Sequence, residues 1–198
     1  MAQSKRDRLV QASWTVIAEK GLAGLRVEDV AARVGVAASL VYYHFGSRAG
    51  LLEATMSYAD SLEPSSLVRP PRPGESARAR LDRALLSELG GSARARANSV
   101  VWNELTAGAV FDRDLRARVR RVSGTWTTAI AACIGEGQRD GSIRSDADAH
   151  DEAELLSALV DGLLSRCLAG SLDRSRARRL LARAVDDRLG PAGSPAAG

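Results

Sequence analysis

The chain has 198 residues, of which 45% are hydrophobic, with 28 basic against 24 acidic side chains, a net charge of +4 and a pI near 9.6. That is enough apolar material to bury one large core or two modest ones, so the chain is globular. No apolar run approaches the length of a membrane span, no apolar core follows the charged opening Met1–Arg8, and Cys133 and Cys167 are too few for a disulfide framework. Neither signal peptide nor membrane span is therefore expected, and two buried thiols fit a reducing cytoplasm. Six prolines, short β-branched runs and a dominance of Ala, Leu and Arg predict an all-α fold. Every basic residue except Lys5 and Lys20 is arginine, a bias expected of a high-G+C coding sequence, so charge alone is a weak pointer to a polyanion.

Residues of about 3–20 read as a first helix, with Leu9, Val10, Ser13, Val16 and Ile17 along one stripe. Lys5, Arg6 and Arg8 near its start oppose the helix dipole, which either a phosphate backbone or a frayed, solvated terminus would resolve. Val27, Val30, Ala31 and Val34 then share one face of a short second helix, which Gly35 ends by tolerating the left-handed conformation of a helix stop. A third helix follows at about 38–45. Two helices joined by a short Gly-containing turn are the helix-turn-helix pattern, whose second helix can enter a major groove. Val41 and Phe45 fall four apart and face inward, which leaves Ala38, Ser39, Tyr42, Tyr43 and His44 facing out. Two tyrosines and a histidine on a solvent face carry groups suited to phosphate oxygens and base edges.

The stretch from Gly21 to Leu52 resembles the N-terminal domain of the TetR (tetracycline-repressor-type) family of transcriptional regulators. Gly21, Asp29-Val30-Ala31, Gly35-Val36, Tyr42, His44-Phe45, Ser47-Arg48 and Leu51-Leu52 all fall in register. The resemblance implies a homodimeric, all-helical repressor that leaves its operator when a small molecule binds the C-terminal domain. Two positions depart from it: Arg26 and Ala37 stand where relatives place a capping Thr or Ser, each omission worth about 1 kcal/mol. Arg26 is then either a phosphate contact or a solvated arginine. Ser39-Leu40-Val41 also replaces a Gly-Thr-Leu type of run, which bears on the operator sequence more than on DNA binding.

Ser47 reads as the cap of a fourth helix from about Arg48 to Leu62, in the resembled family the lever between reading head and body, with Arg48 at its start touching phosphate. Pro64 to Gly74 holds four of the six prolines and is expected to be a loop. Helical periodicity resumes over Glu75–Leu89 and again over about 92–107. From the expected cap Asp112, the seam Leu115, Val119, Val122, Trp126, Ile130 and Cys133 marks a long helix, closed by Gly135, Gly137 and Gly141. The acids around His150 are expected to serve a helix dipole rather than a metal, there being no second ligand at metal spacing. Over Ala153–Ala169, Leu155, Leu156, Leu159, Val160, Leu163, Leu164, Cys167 and Leu168 form two adjoining stripes, too wide for one buried face. In the resembled family this helix and the last one, about Arg174 to Leu189 with Leu181 and Val185, pair with their copies as a four-helix dimer bundle.

The division expected is a DNA-binding domain over 1–47, a ligand-binding and dimerisation domain over 48–190, and a disordered tail over 191–198. An effector pocket is expected between about residues 48 and 140, with Trp102, Phe111 and Trp126 as walls unless they are plain core, and with Asn103 or Glu104 as an anchor for a cationic or hydrogen-bonding ligand. No nucleophile elbow, zinc-protease, phosphate-loop or Cys-x-x-Cys pattern occurs, and His44 and His150 are the two histidines. A non-enzyme without metal or cofactor is expected. The function is a ligand-responsive regulator, most readily a repressor on a near-palindromic duplex. The competing readings are a ligand-independent architectural or recruiting DNA-binding protein on the same scaffold, and a helical enzyme or adaptor that has lost DNA binding.

Overall fold

The computed structural model describes residues 3–62, 67 and 71–190, and among these nine α-helices and no strand occur. They are α1 (Lys5–Lys20), α2 (Val27–Val34), α3 (Ala38–Phe45), α4 (Arg48–Leu62), α5 (Ala77–Glu88), α6 (Ala93–Gly108), α7 (Arg113–Asp140), α8 (Ala149–Leu168) and α9 (Arg174–Leu189). Most of the expected Pro64–Gly74 loop and all of the expected 191–198 tail lie outside the described residues. No described helix is long and apolar enough to cross a membrane.

Packing gathers the chain into two compact units. One holds α1 to α4, α6 and the first turn of α7; the other holds α5, the remainder of α7, α8 and α9. In the first unit, Leu9, Val16, Ile17, Val30, Val41, Leu51, Val101 and Leu105 are sealed from solvent. The expected stripe on α1 is therefore real, and Ser13 lies in it because its hydroxyl is hydrogen-bonded to Thr55 at 2.8 Å. The start of α1 needs no phosphate to be stable: Ser4 caps it by accepting the Asp7 N–H at 3.1 Å, and Asp7 sits in the first turn. Arg8 reaches across to donate to the Val34 carbonyl at the end of α2, 3.2 Å away.

The second unit buries Leu81, Leu85, Ile130, Ile134, Leu156, Leu181 and Leu189 completely. Both cysteines are free and buried there. Arg80, 8% exposed, enters this core paired with Glu136 and 3.5 Å from Cys133 Sγ, while the thiol donates to the Ala77 carbonyl at 3.3 Å. Burial pushes the Cys133 thiol above its ordinary range, so it stays protonated and unreactive.

Two expected helix ends move. Gly135 and Gly137 do not close α7, which runs through both to Asp140 and stops at Gly141 with φ +77°. Gly137 is required for contact rather than for stopping, since an added Cβ would meet Ile143 Cδ1 at 2.6 Å. α8 begins at Ala149 rather than Ala153 because Asp148 accepts the N–H groups of His150 and Asp151 at 2.8 and 3.0 Å. Its carboxyl is accordingly held below the usual range, chiefly by these backbone N–H groups. Among the described residues no cluster of His, Cys, Asp or Glu fit for a metal occurs.

Candidate nucleic-acid interface

The turn between α2 and α3 is three residues long, and its geometry follows from Gly35. With φ +76° and ψ +42° this residue is left-handed, its N–H bonds back to the last turn of α2, and the Val36 N–H closes onto the Ala31 carbonyl at 3.0 Å. That double closure is the Schellman stop, which redirects the chain within one residue. α3 then restarts with Val41 buried at 1% exposure against the rest of the head. As the sequence implies, neither Arg26 nor Ala37 makes a side-chain capping bond. Both short helices are held by tertiary packing instead, and Ser47 supplies a true cap to α4 by accepting the Gly50 N–H at 3.1 Å.

The outward face of α3 is aromatic. Tyr43 is 82% exposed, Tyr42 47%, Ser39 is exposed and Ala38 half-buried. His44 is half-buried, edge-on to Tyr43 with centroids 5.3 Å apart. Phe45 is only half-buried, and the Arg6 guanidinium lies over its ring at 5.3 Å. This contact of about 0.5–1 kcal/mol carries the first turn of α1 to the end of α3 and sets a fixed cation beside His44. Arg6, His44 and Phe45 line one edge of an open cleft of about 690 Å³ that also takes in Asp7 and Tyr58.

Arg26 is exposed at the start of α2 and remains available to a phosphate. Arg48 does not remain free. Its Nε and one terminal nitrogen donate to the carbonyls of Leu25 and Leu22 at 3.3 and 3.1 Å, so it ties α4 to the α1–α2 loop. Arg48 nevertheless stays exposed, and its guanidinium fork finds backbone oxygens in the folded chain that the sequence does not display. Between α1 and α2, Arg33 pairs with Glu19 through bonds of 3.1 and 2.5 Å, and Lys20 with Asp29 at 2.8 Å. These cations hold the two carboxyls below their usual range, so the pairs remain ionised and mutually cancelled.

The residues expected to build an effector pocket are dispersed. Phe111 is 93% exposed at the α6–α7 turn and walls nothing, because the turn projects it outward beside Val110. Asn103 is exposed, Trp102 half-buried, and Trp126 half-buried against the core of the second unit. Glu104 is half-buried, and its Oε2 accepts the Leu22 N–H at 2.8 Å.

The α8 and α9 residues expected to meet a partner also divide. Leu156, Val160, Leu163, Leu181 and Val185 belong to the protomer's own core, and Leu159 and Leu164 are half-buried against it. The width of the apolar pattern arises because α8 is covered from within by more than one neighbouring helix. What stays outside is Leu155 at 48% and Leu180 at 43% exposure, and Leu180 joins Ala158, Leu159, Gly162, Arg166 and Arg176 in lining a groove of about 710 Å³. Ala158 and Gly162 carry no bulk, a feature that a search for large apolar residues passes over.

Comparison with known proteins finds two matching regions. Residues 9–55 match the family described as bacterial regulatory proteins, tetR family, and residues 77–190 match the C-terminal region of BetI-type transcriptional repressors. The HTH-type transcriptional regulator BetI of Burkholderia mallei (strain NCTC 10229) is 27% identical over 198 residues, with 96% of each chain covered. BetI 1 of Chromohalobacter salexigens is 28% identical over 204 residues, covering 96% of this chain and 92% of its own. Among solved structures, a putative TetR-family transcriptional regulator from Rhodococcus sp. is 39% identical with a TM-score of 0.83, covering 93% of this chain and 97% of that one. A putative transcriptional regulator from Saccharomonospora viridis in complex with choline is 27% identical with a TM-score of 0.81, covering 93% and 96%.

Proposed function

Given that this chain belongs to the tetR family of bacterial regulatory proteins and carries the C-terminal region of a BetI-type transcriptional repressor, we propose that it acts in the cytoplasm as a homodimer that reads a near-palindromic operator with α3. The observation that carries the reading is the exposed aromatic face of Tyr42 and Tyr43 on a helix that Gly35 aims away from α2. Two copies of α3 enter successive major grooves about 34–36 Å apart, the spacing a two-fold dimer imposes on B-DNA. Tyr42, His44, Arg26 and Arg48 meet phosphates, and Ser39, Tyr43 and Ala38 lie nearest the base edges. The partner is met through Leu155, Ala158, Leu159 and Gly162 of α8 and Leu180 of α9. The division of labour is a reading head over 1–47 and a ligand-binding and dimerisation part over 48–190.

The test uses a duplex selected by the wild-type protein from a random pool. A Tyr42→Ala, His44→Ala double variant is expected to bind it about a hundredfold more weakly at about 150 mM salt, since each side chain removes one bond to a charged group. Wild-type affinity should also fall steeply as salt is raised, because phosphate contacts release counterions. A double variant that shifts this duplex as well as wild type does would show that α3 is not the reading helix.

The effector is a small organic cation. Support comes from the choline held by the Saccharomonospora viridis protein. Choline in the millimolar range is expected to raise the melting temperature and to release the selected duplex. If neither occurs, the effector has another chemistry.

A further inference from the structure

The loop joining α1 to α2 is held at one residue from two helices. Leu22 gives its N–H to Glu104 Oε2 of α6 at 2.8 Å, and its carbonyl accepts from Arg48 of α4 at 3.1 Å. Its side chain rests on α6 as well: a Cβ built on Gly108 would lie 2.5 Å from Leu22 Cδ2. Glu104 and Gly108 are four apart and so share one face of α6. The approach is close from the other direction too, since a Cβ on Gly21, which has φ +74°, would meet Glu104 Oε2 at 2.8 Å. Elsewhere on α6, Trp14 Nε1 of α1 donates to Asn98 Oδ1 at 3.0 Å, and the Asn98 amide in turn donates to the Ala59 carbonyl of α4 at 3.1 Å.

From this arrangement we infer that Glu104 is a positioning residue for operator recognition: by gripping the Leu22 amide it fixes the inclination of the helix-turn-helix on α6, and with it the half-site spacing the protein accepts. The inference rests on the reading of α3 as the DNA helix. The physical argument is one of stiffness. A carboxylate to N–H bond is charge-assisted and directional, and Gly108 admits Leu22 where any side chain would hold it off. The loop beyond Leu22 leads straight into α2, so with the amide released the head keeps its own core but loses one of the struts that set its angle.

The selected duplex supplies the test, with its central spacer lengthened and shortened by one and two base pairs. Wild-type protein should discriminate strongly against the altered spacers. Glu104→Leu is expected to reduce that discrimination by about tenfold, the worth of one such bond, and to speed hydrogen exchange at the Leu22 amide. Glu104→Gln, which keeps an acceptor oxygen in place, should restore most of both. A uniform loss of affinity across all spacers, with a lowered melting temperature, would overturn the inference and leave Glu104 a stabilising residue only. Unchanged discrimination in Glu104→Leu would overturn it as well. Failure of the wild-type protein to enrich any duplex would instead refute the reading of α3 and, with it, the inference that rests on that reading.

Discussion

A Gly162→Arg variant is expected to elute as a monomer and to bind the selected duplex at least a hundredfold more weakly, while its helical circular dichroism and melting behaviour as a protomer are preserved. Gly162 lies on the outer face of α8, where an added Cβ meets nothing within 4 Å in the protomer. Removing glycine from a helix interior stabilises the protomer by up to about 1 kcal/mol, so loss of folding is not an expected outcome. Only a second copy seated on Ala158 and Gly162 would clash with an arginine. Operator affinity falls with the dimer because two half-sites bound by linked heads gain roughly 10²–10⁴ from effective concentration, and that gain vanishes for a single head. Size-exclusion chromatography with light scattering reads the first effect and a mobility-shift titration the second. A variant that remains dimeric would place the interface elsewhere.

Leu180 and Leu181 are neighbours on α9 with opposite expected behaviour. Leu181 is fully buried in the core of the second unit, so Leu181→Ala should destabilise by about 2–5 kcal/mol, the transfer loss plus the cavity left behind. Against a total stability of about 5–15 kcal/mol that is a large fraction, visible as a much lower urea midpoint. Leu180 is 43% exposed, and Leu180→Ser should leave the midpoint of a monomeric background such as Gly162→Arg nearly unchanged while weakening the wild-type dimer. Equal losses of stability from the two substitutions in the monomeric background would mean that α9 is rotated from the orientation described.

The contrast shows where a one-dimensional pattern stops being informative. The apolar period marks both residues, yet only the packing of α5 and α8 on α9 decides which of them is enclosed. The same holds for α8, where four of the eight residues of the two apolar stripes, Leu156, Val160, Leu163 and Cys167, are buried inside the protomer. Small residues carry no signal in such a pattern, and Ala158 and Gly162 became visible only as the floor of a groove.

The sequence by itself determined the local matters. The bounds of α2, α3 and α4, the stop at Gly35, the missing caps at Arg26 and Ala37, the cap at Ser47 and the outward tyrosines all follow from residues within a few positions of one another, because helix periodicity and capping are short-range physics. What the tertiary structure alone decided concerns groups brought together from far apart in the chain. Arg48 reaches the carbonyls of Leu22 and Leu25, Glu104 closes on an amide 82 residues away, and Phe111 is left in solvent where an aromatic looked like a wall. A charged side chain takes whichever partner the fold presents, and its neighbours in sequence do not reveal that partner.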